Sequence, residues 1–126
     1  MTMTTTRTPR EIYDAALQER KSDDPLKRRE ACEKGWLAVV EAVDKYLAGN
    51  GMHVHKGKPE AHSERKDFLA RLASKDMNAR RISMLVSEVT EYLHGSCFYE
   101  GKDSEYMDIV LNEMVQEILE LTGFAA

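Results

Sequence analysis

Reactive side chains crowd one short stretch of this chain, Glu91-Tyr92-Leu93-His94-Gly95-Ser96-Cys97-Phe98-Tyr99-Glu100-Gly101. His94 is an acid–base group whose ordinary titration falls near neutral pH. Glu91, about one helical turn earlier, is placed to accept an imidazole proton and orient the ring, as a carboxylate does for a catalytic histidine. His94 and Glu91 are therefore the candidate catalytic pair. No matched nucleophile accompanies them. Cys97 has no electropositive neighbour in sequence to depress its pKa, and Tyr92, Tyr99 and Tyr106 scatter in helical phase. A boundary histidine, bonded to Glu91 or to backbone and closing a helix end, is the favoured reading. The tyrosines then pack at bundle edges or at a dimer contact.

Two groups of basic residues suggest a different chemistry. Lys27, Arg28 and Arg29 open one helix pattern, and Arg80 and Arg81 open another. Cations at a helix N-terminus oppose the macrodipole, so an anion nearby would relieve them. Arg28, Arg29, Arg80 and Arg81 are candidate phosphate contacts, with Lys56 and Lys58 from a basic loop. Internal carboxylates are plentiful, however: Asp23, Asp24, Glu30 and Glu33 flank the first group and Asp76 precedes the second. A solvated lattice of ion pairs is the simpler expectation. The loop around Lys56 also holds His53, His55, Glu60 and His62, a set that invites a zinc reading. It lacks the thiols and turn spacing of structural zinc sites, so no metal is expected and the segment reads as a solvated loop.

Helices must position these residues. Thr8 and Pro9 make a cap and first turn, followed by Ile12, Tyr13, Ala16 and Leu17. Ser22-Asp23-Asp24-Pro25 breaks that helix and starts a second. The second runs to about Leu47 on Cys32, Trp36, Val39, Val40, Val43, Tyr46 and Leu47, and Gly49-Asn50-Gly51 ends it. Gly35 inside it costs about 1 kcal/mol against alanine, which implies close approach by a neighbouring helix, with Trp36 buried beside it. A loop from Gly51 to His62 leads to a short third helix capped by Ser63, carrying Phe68, Leu69 and Leu72. A fourth starts near Asn78 on Ile82, Leu85, Val86, Val89 and Leu93. A fifth starts at Asp103 or Ser104 on Met107, Val110, Leu111, Met114, Val115, Ile118 and Leu121, and stops at Thr122-Gly123. No strand alternation and no internal repeat is present. The expected fold is all-α, an antiparallel bundle of four main helices plus one short helix. Residues 1–8 read as a flexible tail and 9–126 as a single domain.

At 126 residues, with 42% hydrophobic and 32% charged residues, the chain suits one globular domain. A net charge of −4 supplies no global field towards nucleic acid or an anionic membrane. The threonine-rich start has no apolar core of a signal peptide, and no run approaches the roughly 18–20 apolar residues of a membrane span. A cytoplasmic protein is expected, with Cys32 and Cys97 as reduced, buried thiols.

The helix Ala31-Cys32-Glu33-Lys34-Gly35-Trp36-Leu37-Ala38-Val39-Val40-Glu41-Ala42-Val43, and the later Leu93-His94 followed by Phe98-Tyr99-Glu100-Gly101, resemble the HEPN-like families of small prokaryotic helical bundles. The resemblance covers roughly Pro25 to Leu121. It implies a homodimer, with a protein partner such as a nucleotidyltransferase, and in some members ribonuclease toxins. Those ribonucleases carry Arg-x(4–6)-His on one helix, a cation that stabilises the phosphorane while histidine moves a proton. Here Ser87, Glu88 and Val89 stand where that arginine should be. The expectation is a dimeric, non-catalytic interaction module without a cofactor. The alternatives are a nucleotide- or RNA-phosphate-binding protein, with nucleic acid not favoured, or a ribonuclease using His94.

Overall fold

The computed structural model describes residues 7–125. They form α1 (Pro9–Arg20), α2 (Pro25–Gly49), α3 (Ala61–Ala73) and α4 (Met77–Val89), which runs on as a π-helical segment, Thr90–Tyr99. A final helix is made of α5 (Glu105–Ile109), a second π-helical segment (Val110–Val115) and α6 (Gln116–Thr122). No strand occurs among the described residues. The result is an all-α bundle, and short links at residues 21–24 and 74–76 fold successive helices back on one another. No helix among the described residues is long and apolar enough to cross a membrane. Of the stretch read as a tail, residues 1–6 lie outside the described residues.

The helix starts follow from local chemistry. The Thr8 hydroxyl accepts from the Glu11 amide at 3.1 Å, while the Glu11 carboxylate accepts from the Thr8 amide at 2.8 Å. This is a capping box, with Pro9 in the first turn. Asp24 caps α2 by accepting from the Leu26 amide, and Asp76 caps α4 by accepting from the Asn78 amide. Helix α3 differs from expectation. It begins two residues before Ser63, and Ser63 sits in the first turn donating its hydroxyl to the Glu60 carbonyl. At the far end, Gly123 takes φ +94°, which lets the Phe124 amide donate back to the Leu119 carbonyl and closes α6.

Tyr13, Val39, Val43, Leu47, Ile82, Val89, Leu93, Leu111 and Ile118 are among the fully enclosed side chains of one continuous core. The buried Tyr13 hydroxyl donates to the Leu111 carbonyl at 2.8 Å, so the ring's polar end is satisfied. Burial pushes its ionisation up to about 12. Gly35 does mark a close helix approach. A Cβ there would stand 2.5 Å from Leu111 Cδ1 and 3.2 Å from Leu93 Cδ1. The neighbours are these two leucines, however, and not Trp36. One residue further on, Trp36 turns to another face and is only half-buried.

Two further features depart from the sequence expectation. The first is the π register of residues 90–99 and 110–115. In the former, the Glu100 amide donates to the Gly95 carbonyl, five residues back. The apolar spacing of this region fits an ordinary helix well enough that the wider turn leaves no sequence mark. The second is a Cys32–Cys97 disulfide, with Cα atoms 6.2 Å apart. The reading of two reduced thiols is corrected here. The residues are 65 positions apart, and only the packing of the π segment on α2 brings them together.

Candidate functional site

A cleft of about 250 Å³ opens between α2, α3 and the α4–π helix. Its apolar wall comes from Val39, Val40 and Trp36 of α2, Leu69 of α3 and Val86 of α4. Its polar groups are the hydroxyls of Ser83, Ser87 and Thr90, and the titratable side chains of His62, Arg65, Lys66 and Glu91. The spacing explains how they converge. Ser83, Val86, Ser87, Thr90 and Glu91 recur every three to four residues, so one face of α4 and of the first turn of the π segment supplies them all. His62, Arg65, Lys66 and Leu69 do the same on α3.

The electrostatics of the cleft are uneven. Arg65 is 7% exposed and makes a two-pronged pair with Asp44, itself 8% exposed, at 2.5 and 2.9 Å. Its charge is thus matched within the wall. Lys66 has no carboxylate at ion-pair distance among the described residues. Partial desolvation in the cleft holds His62 below its ordinary titration, and the nearby positive charges of Arg65 and Lys66 push it the same way.

His94 stands behind this cleft. Its ring stacks on Trp36, with centroids 3.8 Å apart and planes 18° from parallel, and meets Tyr99 edge-on at 4.8 Å. The Trp36 indole N–H donates to the Thr90 hydroxyl at 3.2 Å. The carboxylate on His94 is Glu33, whose Oε1 lies 2.7 Å from Nδ1. Glu91, the partner expected from sequence, lines the cleft mouth and is exposed. Glu33 sits 61 positions away on α2, beyond the reach of any spacing argument within one helix. The histidine is therefore held by a carboxylate and an indole; among the described residues no hydroxyl or thiol hydrogen-bonds to its ring, and Cys97 is joined in the disulfide.

The candidate phosphate contacts are not brought together. Arg28 donates to Asp103 at 2.9 Å and to the Arg20 carbonyl at 2.7 Å. Arg29 donates to the Phe98 and Tyr99 carbonyls and so closes the end of the π segment. Arg80 donates to the Ala73 carbonyl at 3.3 Å, and Arg81 forms a two-pronged pair with Glu117 at 2.8 and 2.9 Å. Lys56 reaches Glu41 at 2.6 Å, while Lys58 lies exposed in the loop. The loop histidines also separate. His55 meets Glu64 at 2.9 Å, which raises its titration, His53 is exposed and His62 faces the cleft. Among the described residues, no three His, Cys, Asp or Glu side chains converge on a point that could hold a metal ion. Glu88, which would have opposed a phosphate, accepts from the Tyr106 hydroxyl and pushes that phenol up to about 12.

Fold and site together define a small helical bundle with a lateral cleft of apolar wall and polar rim. No family model matches the chain, and no curated protein or solved structure matches it.

Proposed function

We propose that this protein is a non-catalytic binding module whose α2–α3–α4 cleft takes a small planar anion. The observation that carries the reading is the combination in one recess of an apolar wall containing Trp36 with donors that the fold leaves uncommitted: Lys66 and the Ser83 and Ser87 hydroxyls. A mostly apolar concavity with a few convergent polar groups is the usual form of a small-molecule site, and such sites run to about 300–1,000 Å³. At about 250 Å³ this one suits a body near the size of a single aromatic ring bearing a carboxylate or phosphate. Titration of the single tryptophan's fluorescence with aromatic carboxylates, phenyl phosphate and mononucleotides tests the reading. Saturable quenching that weakens on Lys66→Ala supports it; no change across the series refutes it.

A second reading has its own support. Met77 is 75% exposed and Met84 62% exposed, seven positions apart on α4, so they share one helical face. Apolar side chains on such a face are what a HEPN-like dimeric interaction module would bury against a second copy. Light scattering at micromolar concentration should give twice the chain mass, and Met84→Glu should halve it; a monomer throughout refutes the dimer. Ribonuclease chemistry has less support, because His94 faces Glu33 where that reaction needs a cation. Incubation with single-stranded and structured RNA should give no cleavage, and metal-independent cleavage lost in His94→Ala would overturn the non-catalytic reading.

A further inference from the structure

Two oppositely charged side chains line the α2–α3–α4 cleft from different helices. Lys66 stands on α3 and Glu91 on the first turn of the π segment. Among the described residues no ion pair joins them to each other or to a third group, so the fold holds the two charges apart. The Glu91 carboxylate accepts no hydrogen bond there either. The stronger charges nearby are matched: Arg65 is closed on Asp44 by two hydrogen bonds, and Glu33 is taken up by His94. Glu91 is also the carboxylate that a plain anion in this cleft would meet. Like charges brought together across a binding contact cost affinity and reject the wrong partner. A ligand that carried a cation beside its anionic group would turn the same carboxylate into an attraction.

We propose that the ligand of this cleft is a zwitterion, an amino acid with an aromatic side chain, whose carboxylate meets Lys66 and whose ammonium group meets Glu91. The proposal rests on the reading of the cleft as an anion site and adds the second charge. The apolar wall receives the side chain: Val39, Val40 and Leu69 line it, and Trp36 supplies aromatic surface for a ring to pack against. A volume of about 250 Å³ suits one ring and a short polar head. In a recess of this kind the apolar wall supplies most of the affinity and a few placed polar groups fix the orientation. Lys66 and Glu91 are both exposed to solvent, so each sets selectivity more than strength. An ion pair in such a position changes affinity about twofold to fivefold.

Calorimetric titration of the full chain near neutral pH compares L-phenylalanine with hydrocinnamate, which keeps the ring and the carboxylate and lacks the ammonium group. Phenylalanine is expected to bind about twofold to fivefold more tightly, and Glu91→Gln is expected to erase that preference. Glu91 is exposed, so the replacement leaves the helical bundle folded, which circular dichroism checks. Equal affinities, or tighter binding of hydrocinnamate, overturn the zwitterion and leave the anion reading standing. A preference that survives Glu91→Gln overturns it as well, because the ammonium group is then recognised elsewhere. Binding of neither compound also overturns the zwitterion, and titration with phenyl phosphate and mononucleotides then decides the anion reading on its own.

Discussion

The α2–α3–α4 cleft and the arginine cluster around the disulfide use the same kinds of residue in opposite ways. Around the disulfide, Arg20, Arg28 and Arg29 spend their donors on Asp103, Asp108 and backbone carbonyls. These contacts tie the first turn of α2 to the end of the π segment. In the cleft, only Arg65 is committed in this manner, while Lys66 and the serine hydroxyls stay open. Charge density alone thus does not locate a site. A cation whose hydrogen-bonding capacity is filled by the fold holds the fold together, and one left over beside an apolar wall is available to a ligand.

The contrast can be broken most severely at the buried pair. Asp44→Ala leaves Arg65 charged, enclosed and unpaired, which costs about 3–5 kcal/mol; urea unfolding would register it. A small anion in the cleft should recover part of that loss in the variant, because a ligand that binds only the native state stabilises it. Equal loss with and without the anion would separate Arg65 from the cleft.

Gly35→Ala comes next. Its Cβ would meet Leu111 at 2.5 Å, and overpacking of this kind costs about 1–3 kcal/mol, against roughly 1 kcal/mol regained from helix propensity. Net stabilisation in chemical denaturation would show that the Leu111 side chain swings away freely.

Trp36→Ala belongs below both. A fully buried tryptophan would lose about 3–5 kcal/mol on truncation, and half-burial brings the expectation to about 1–2 kcal/mol. The same change should abolish anion binding. A loss as large as that of a core residue would return Trp36 to the structural role its spacing first suggested.

The smallest effects are electrostatic. His55 and His62 start from the same ordinary value of 6.5 and move apart. The Glu64 carboxylate raises His55, so its contribution to stability is present below pH 6.5 and fades as pH rises through its folded value. Burial lowers His62, so its contribution is present above pH 6.5 and is lost as pH falls through its folded value. Proton NMR titration should place His55 above 6.5 and His62 below it, and an anion in the cleft should move His62 upward. Two coincident midpoints would refute the distinction.

Much of the fold was readable in the sequence because helices are specified locally. Thr8 and Asp24 cap the helices they precede, and the apolar stripes of α2, α4 and the final helix supply the core apart from Trp36 and Val40, which line the cleft. Gly35 signalled a close approach, although the partner proved to be Leu111 and Leu93. The site was less legible. The Glu33–His94 contact, the Arg65–Asp44 pair and the disulfide each join residues on different helices, and no periodicity encodes which face of one meets which face of another. The arginines at helix starts misled for the same reason. Their partners, Asp103 and Glu117, lie 75 and 36 positions away.

The π segment sets the bearings of both regions. Each of its turns holds about one residue more than an α-turn, so it acts as a phase offset written into the backbone, and His94 and Cys97 take their compass directions from it. Removing a single residue between 90 and 99 would let the commoner winding return and leave the chain helical. The cost would be navigational: the imidazole and the sulfur would each rotate away from α2. Such a deletion, judged by helical content alone, would pass as silent while unfastening the indole stack and the cross-link together.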